Sequence, residues 1–158
     1  MNENVTLVFD MDGTIADLFS VDNWESQLRQ ESTNPYEIAE PLVDMPKLCE
    51  ILEKLKDIGF NVAVTSWTAK DGTKDYNKEV RAAKIDWLNK WGFPYDEIHI
   101  VKYGSTKANA TRNKGGFQIL FDDNERVRKG WNLGSTVDAK NVDIVKSMFS
   151  GYEIKLFM

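Results

Sequence analysis

Residues 5–14 read VTLVFDMDGT, and the chain is best understood outward from them. The first five, from Val5 to Phe9, form an unbroken run of apolar and β-branched residues. A half-exposed strand alternates apolar with polar residues. A continuous run bounded by turn signals reads instead as a strand buried on both faces, as in a parallel sheet. The run stops at two carboxylates, Asp10 and Asp12, two residues apart. Gly13 then lets the backbone turn without steric penalty.

Two later stretches repeat this design. NVAV, residues 61–64, leads into Thr65 and Ser66, and FQILF, residues 117–121, leads into Asp122 and Asp123. Helical patterns lie between. Asp44 can cap a helix with Pro46 in its first turn. Leu48, Ile51, Leu52, Leu55 and Ile58 follow at helical spacing, and Gly59 stops it. Val80, Ala83, Trp87, Leu88 and Trp91 mark a second amphipathic helix, closed by Gly92. Residues 98–101 read as a strand, 124–131 as helical, and Val137 as part of a further strand. Val142, Val145, Met148 and Phe149 mark a last helix, and residues 152–157 a final strand. Strands alternating with helices predict a Rossmann-like three-layer α/β domain, with a mainly parallel central sheet. Residues 1–158 are expected to form one domain. Residues 15–43 break the alternation and predict a small helical insert after the first strand.

The composition narrows the function classes. The chain has 158 residues, of which 42% are hydrophobic and 28% charged, an ordinary globular balance. Its net charge of −5 argues against broad contact with a polyanionic backbone, so nucleic acid is an unlikely partner. A local basic stretch does run through Lys102, Lys107, Arg112 and Lys114. The single cysteine, Cys49, sits on the apolar stripe of the helix at 44–58 and reads as a core residue. The N-terminus lacks a basic signal-peptide region, and no stretch approaches the roughly 18 apolar residues of a membrane span. A cytoplasmic protein is therefore expected, with no membrane partner and an oligomeric state that the sequence leaves open.

In an open parallel sheet, ligands bind at the carboxyl ends of the strands. If the three polar-ended strands are neighbours, four carboxylates and two hydroxyls meet at one edge. Unpaired carboxylates resist sharing a site. A hard cation with oxygen ligands would relieve them, and magnesium is the usual choice where phosphate also binds. Lys107, before the fourth strand, could add positive charge, with Lys102 and Lys114 as alternatives. The chemistry that fits is phosphoryl transfer. One carboxylate attacks phosphorus while the other gives and takes a proton.

The segment Asp10-Met11-Asp12-Gly13-Thr14 resembles the first motif of the haloacid dehalogenase (HAD) superfamily. Thr65 resembles its second motif, Lys107 its third and Asp122-Asp123 its acidic fourth, in the same order along the chain. The resemblance implies that Asp10 forms an aspartyl-phosphate and that Asp12 protonates the leaving oxygen and later activates water. It implies that Thr65, with Ser66 able to share the role, and Lys107 hold the phosphate. Magnesium would be held by Asp10, by the main-chain carbonyl of Asp12, and by Asp122 and Asp123. Receiver modules combine similar residue types, but there the acidic pair precedes the Thr/Ser and Lys.

The insert at 15–43 is too short for a large cap, so the resemblance implies an open site with Phe19 and Trp24 as a partial lid. The layout is similar to small 5'(3')-deoxyribonucleotidase-like members, which makes a nucleoside monophosphate the leading substrate. Trp24 and Trp67 are placed to stack on a base or to pack the insert. Removal of a terminal phosphate from nucleic acid, or an idle phosphate-binding or regulatory module, are the alternatives. His99 lies inside a strand with no motif around it and reads as structural. Trp87, Trp91 and Trp131 read as core.

Overall fold

The computed structural model describes residues 4–149. Five strands form one sheet: β1 (Val5–Phe9), β2 (Asn61–Trp67), β3 (Glu97–Val101), β4 (Phe117–Asp122) and β5 (Gly134–Asp138). Their order is β3-β2-β1-β4-β5, and every neighbouring pair is parallel. Phe9 is level with Val64 on one side and Phe121 on the other, so the ends of β1 and β4 lie together. The chain leaves β1 towards β2 and β3, then crosses back to β4. The point where the strand order reverses is therefore between β1 and β4, where open α/β sheets bind ligands.

Residues alternate between the two faces. Leu7, Phe9, Val62, Val64, Ile119 and Phe121 belong to the larger core. They pack with Leu48 and Leu52 of α3 (Met45–Asp57), Trp87 and Leu88 of α4 (Lys74–Lys90), and Ile144 and Met148 of the last described helix (Ile144–Phe149). Phe9 stacks on Phe121 at 4.7 Å between centroids and meets Phe93 edge-on at 5.5 Å. Truncating such a buried ring costs about 3–5 kcal/mol. On the other face Val8, Ala63 and Leu120 pack under Ala108 and Trp131. Burial of Trp87 and Trp131, with Trp91 half-buried against the core, agrees with their expected packing role. Cys49 also packs against the core.

The insert after β1 contains a 3-10 turn (Leu18–Ser20) and two short helices, α1 (Trp24–Arg29) and α2 (Asn34–Ile38). Its two legs are joined where Ile15 O accepts Leu42 N–H at 2.9 Å and Asp17 N–H donates to Glu40 O at 2.8 Å. Leu18 and Tyr36 pack on Ala69, Tyr76, Val80 and Ala83. Three polar anchors tie the insert to the start and flank of α4. Tyr76 Oη donates to Ser32 O at 2.7 Å, and Trp87 Nε1 to Ala39 O at 2.8 Å. Glu31 Oε2 accepts both the N–H and the hydroxyl of Thr73, at 2.9 and 2.8 Å.

The structure departs from the sequence expectations in a few places. β2 runs on to Trp67, so Thr65 and Ser66 lie within the strand rather than at its end. Thr and Trp both suit a pleated surface, and no turn residue follows until Asp71-Gly72. Ile58 stands at the end of α3 and is 67% exposed, beyond the last turn that faces the sheet. Val142 precedes the last helix and is exposed. The strand expected at 152–157 lies outside the described residues. Among those described, no helix is long and apolar enough to cross a membrane.

Candidate active site

The end of β1 is a tight turn. Met11 O accepts the N–H groups of Thr14, Ile15 and Ala16 at 2.9–3.0 Å, which brings Thr14 back towards Asp10. Thr14 Oγ1 donates to Asp10 Oδ2 at 2.9 Å and accepts the Asp123 N–H at 3.2 Å. Gly13 makes this closure feasible on two counts. Its φ is +82°, a region other residues rarely adopt, and a Cβ there would sit 2.3 Å from Asp123 Oδ2. Thr14 therefore cross-links the tails of β1 and β4, a role not assigned to it from the sequence.

Lys107 completes this cluster. It is buried, and its ammonium donates to Asp10 Oδ1 at 2.7 Å and to Asp122 Oδ2 at 2.8 Å. Of the three candidate lysines it alone reaches these carboxylates: Lys102 is exposed, and Lys114 pairs with Glu97 at 3.2 Å. Burial on its own would lower the pKa of Lys107, but the charges of Asp10 and Asp122 and the bonds to them outweigh it and raise the value. Asp122 is pushed up to about 6, by burial first and then by the charge of Asp10. Asp123 is pushed up to about 7 for the same two reasons. Neither acid caps the following helix, Glu125–Lys129. That work falls to Asn124, whose side chain accepts from Arg126 and Val127 N–H.

One lysine leaves the cluster short of positive charge. Asp10, Asp122 and Asp123 each bring a carboxylate oxygen within 4.8 Å of the others. An all-oxygen set of this kind suits a hard divalent cation. The carboxylate of Asp12 is not part of it.

Asp12 has a lysine of its own. Lys84, on α4, is 1% exposed and donates to Asp12 Oδ2 at 2.8 Å, to Ser66 Oγ at 2.7 Å and to Trp67 O at 2.8 Å. The ring of Tyr36 lies 5.0 Å from its Nζ. The Tyr36 hydroxyl has a strongly raised pKa, from burial first and the charge of Asp12 second. Lys84 was missed from the sequence, although a signal was present. Val80, Lys84, Trp87, Leu88 and Trp91 share one helical stripe, and a lysine on a buried stripe needs a partner.

Around these groups lies a cleft of about 660 Å³. Asp10, Asp12, Lys107, Asp122 and Asp123 line its floor. Leu18, Phe19, Trp24 and Tyr36 come from the insert, Trp67, Thr68 and residues 70–73 from the end of β2 and its loop, and Tyr103 from the loop after β3. Phe19 and Trp24 meet edge-on at 5.0 Å. Trp67 is more tied than free. Its Nε1 donates to Ser105 O at 3.0 Å, its ring lies 5.0 Å from Tyr103, and Lys107 Nζ is 5.2 Å from its centre. It thereby braces the loop that carries Lys107.

Thr65 and Ser66 do not line the cleft. They fall on opposite faces of the sheet, because β2 continues past them. Ser66 turns to Lys84. Thr65 is fully buried beside the end of β1, and its Oγ1 has no hydrogen-bond partner among the described residues. Thr68 is buried and does line the cleft. His99 lies within β3, 2.8 Å from Glu97 Oε1, and does not line the cleft. No protein-family model matches the chain, and no curated protein does.

Proposed function

We propose that this chain is a magnesium-dependent phosphomonoesterase working through an aspartyl-phosphate on Asp10. A carboxylate oxygen of Asp10 bonds to phosphorus as the ester P–O bond breaks. The departing oxygen takes the electron pair and receives a proton from Asp12. Water then attacks phosphorus while Asp12 takes back a proton, the bond to Asp10 breaks, and inorganic phosphate leaves. Lys107 steadies the charge shared by Asp10 and the phosphoryl oxygens. Magnesium, held by Asp10, Asp122 and Asp123, would supply the remaining charge neutralisation.

One observation carries this proposal: two carboxylates two residues apart sit in separate electrostatic settings. Asp10 is pinned between Thr14 and Lys107 within the acidic cluster, whereas Asp12 stands outside the cluster on Lys84. Carboxylates placed in different environments are suited to different roles. The substrate we infer is a small phosphorylated metabolite, a nucleoside monophosphate foremost. The cleft volume lies within the usual small-ligand range of about 300–1,000 Å³, and Phe19, Trp24, Trp67 and Tyr103 give it aromatic walls. Its sides set Glu25, Glu31 and Asp71 against Arg29 and Lys70, which is not the basic face that a polyanionic chain needs.

The test is phosphate release, with and without magnesium, from nucleoside 5'- and 3'-monophosphates, sugar phosphates, an oligonucleotide 3'-phosphate and an aryl phosphate. Magnesium-dependent turnover lost in Asp10→Asn supports the proposal. Folded, magnesium-binding protein that releases nothing from any of them points to an idle phosphate-binding module.

A further inference from the structure

We propose that Lys84 is the positioning residue for Asp12: it holds one carboxylate oxygen out of the cleft and leaves the other to transfer the proton. This rests on the phosphomonoesterase proposal. Lys84 spends all three of its protons, on Asp12 Oδ2, Ser66 Oγ and the Trp67 carbonyl. Two of these acceptors belong to β2, the strand beside β1, so the ammonium is fixed in the scaffold independently of Asp12. Asp12 Oδ2 is thereby immobilised at 2.8 Å, while Oδ1 makes no hydrogen bond among the described residues. The Asp12 side chain is 23% exposed and lines the cleft, whereas Lys84 does not line it. Lys84 is therefore placed to act on the substrate only through Asp12.

Stability alone does not explain such a pair. Burying an ammonium carries a desolvation cost, and well-packed apolar residues often replace a buried ion pair without loss. A neutral side chain could serve Ser66 and the Trp67 carbonyl. A fixed cation is useful where a carboxylate must stay in one rotamer through two successive proton transfers. Among the described residues Asp12 has no other restraint of this kind, since Thr14 and Lys107 both act on Asp10.

Positioning of an acid has a kinetic signature. A good leaving group, such as 4-nitrophenolate, departs without a proton, while an alkoxide needs one. kcat/KM reports the steps up to the first irreversible one, here departure of the leaving group. In Lys84→Met, kcat/KM is expected to fall about 10²–10³-fold for an alkyl phosphate such as a nucleoside 5'-monophosphate, in the range of general acid catalysis. For 4-nitrophenyl phosphate it is expected to fall less than about tenfold. Equal losses on both substrates in folded Lys84→Met would show a merely structural role and overturn the proposal. Lys84→Met leaves a carboxylate unpaired, so a double-mutant cycle guards against misfolding. Asp12→Asn,Lys84→Met removes both charges, and its kcat/KM should match that of Asp12→Asn within about threefold, because coupled residues are not additive. A further loss of tenfold or more in the double variant would mean that Lys84 acts apart from Asp12. Absence of turnover by the unaltered chain on every substrate overturns the phosphomonoesterase proposal and this role together. Turnover with parallel losses removes this role alone.

Discussion

Lys107 and Lys84 are both buried lysines that end on aspartates, yet only Lys107 faces the cleft. Lys107 bridges two carboxylates and lies beside the Trp67 ring. Lys84 meets one carboxylate and two neutral acceptors, from behind the wall. The first lysine sits where charge is crowded and serves as a partial counterion. The second sits where charge is sparse and serves as a clamp. Residue type and burial are the same in both, and the number of acids around each ammonium separates the roles.

The comparison is broken most directly at Lys107. Lys107→Met should lower kcat/KM by about 10²–10³-fold, the cost of removing one charge-stabilising donor. Unlike the loss at Lys84, it should be similar for alkyl and aryl esters, as a substrate series would show. A leaving-group-dependent loss at Lys107 would erase the distinction between the two lysines.

Gly13→Ala tests how far the counterion cluster depends on the turn beneath it. A Cβ would collide with Asp123 and force a left-handed φ on alanine. A loss of about 1–3 kcal/mol is expected, read as a drop in Tm, with magnesium affinity falling alongside. Unchanged magnesium affinity would mean that Asp123 is not held by this turn.

On the proposed reading, protons compete with metal at Asp122 and Asp123. The ordinary carboxylate pKa is about 4 in an unfolded chain, while Asp122 and Asp123 stand at about 6 and about 7 in the fold. With folded values raised, these acids contribute stability that is present below pH ~4 and lost as pH rises through 6–7. Metal-free protein should therefore lose Tm between about pH 4 and 7, and the stabilisation by magnesium should grow over the same interval. Asp123→Asn should flatten both trends. A magnesium effect on Tm that does not vary with pH would count against metal binding at these acids.

The smallest expected effect is at the brace. Trp67→Phe keeps a ring near Lys107 and removes the bond to Ser105 O. At about 1 kcal/mol for one hydrogen bond, kcat/KM should fall about fivefold, with no dependence on leaving group. A selective loss on alkyl esters would place Trp67 with Lys84 instead.

The floor of the cleft was more legible in the sequence than its walls. VTLVF and FQILF announce doubly buried strands because neither alternates apolar with exposed polar residues, and the acids that follow fall at the carboxyl edge by topology alone. Lys107 came from motif order, and it lies buried against Asp10 and Asp122. Thr65 and Ser66 were placed at a strand end because hydroxyls look like a boundary, but Thr and Trp extend a strand readily, so β2 ran past them. Lys84 escaped notice because its partners lie far along the chain, and only its place on an apolar stripe gives it away. The helices of the insert left no periodic trace, since each is under two turns long and buries few side chains.

The insert is bolted to α4 by Tyr76, Trp87 and the Thr73–Glu31 pair. A molecule arriving at the cleft meets a wall already standing, so discrimination becomes a matter of fit at the doorway rather than of timing. Substitutions at the rim should then retune what is admitted while leaving the tempo of each turnover alone.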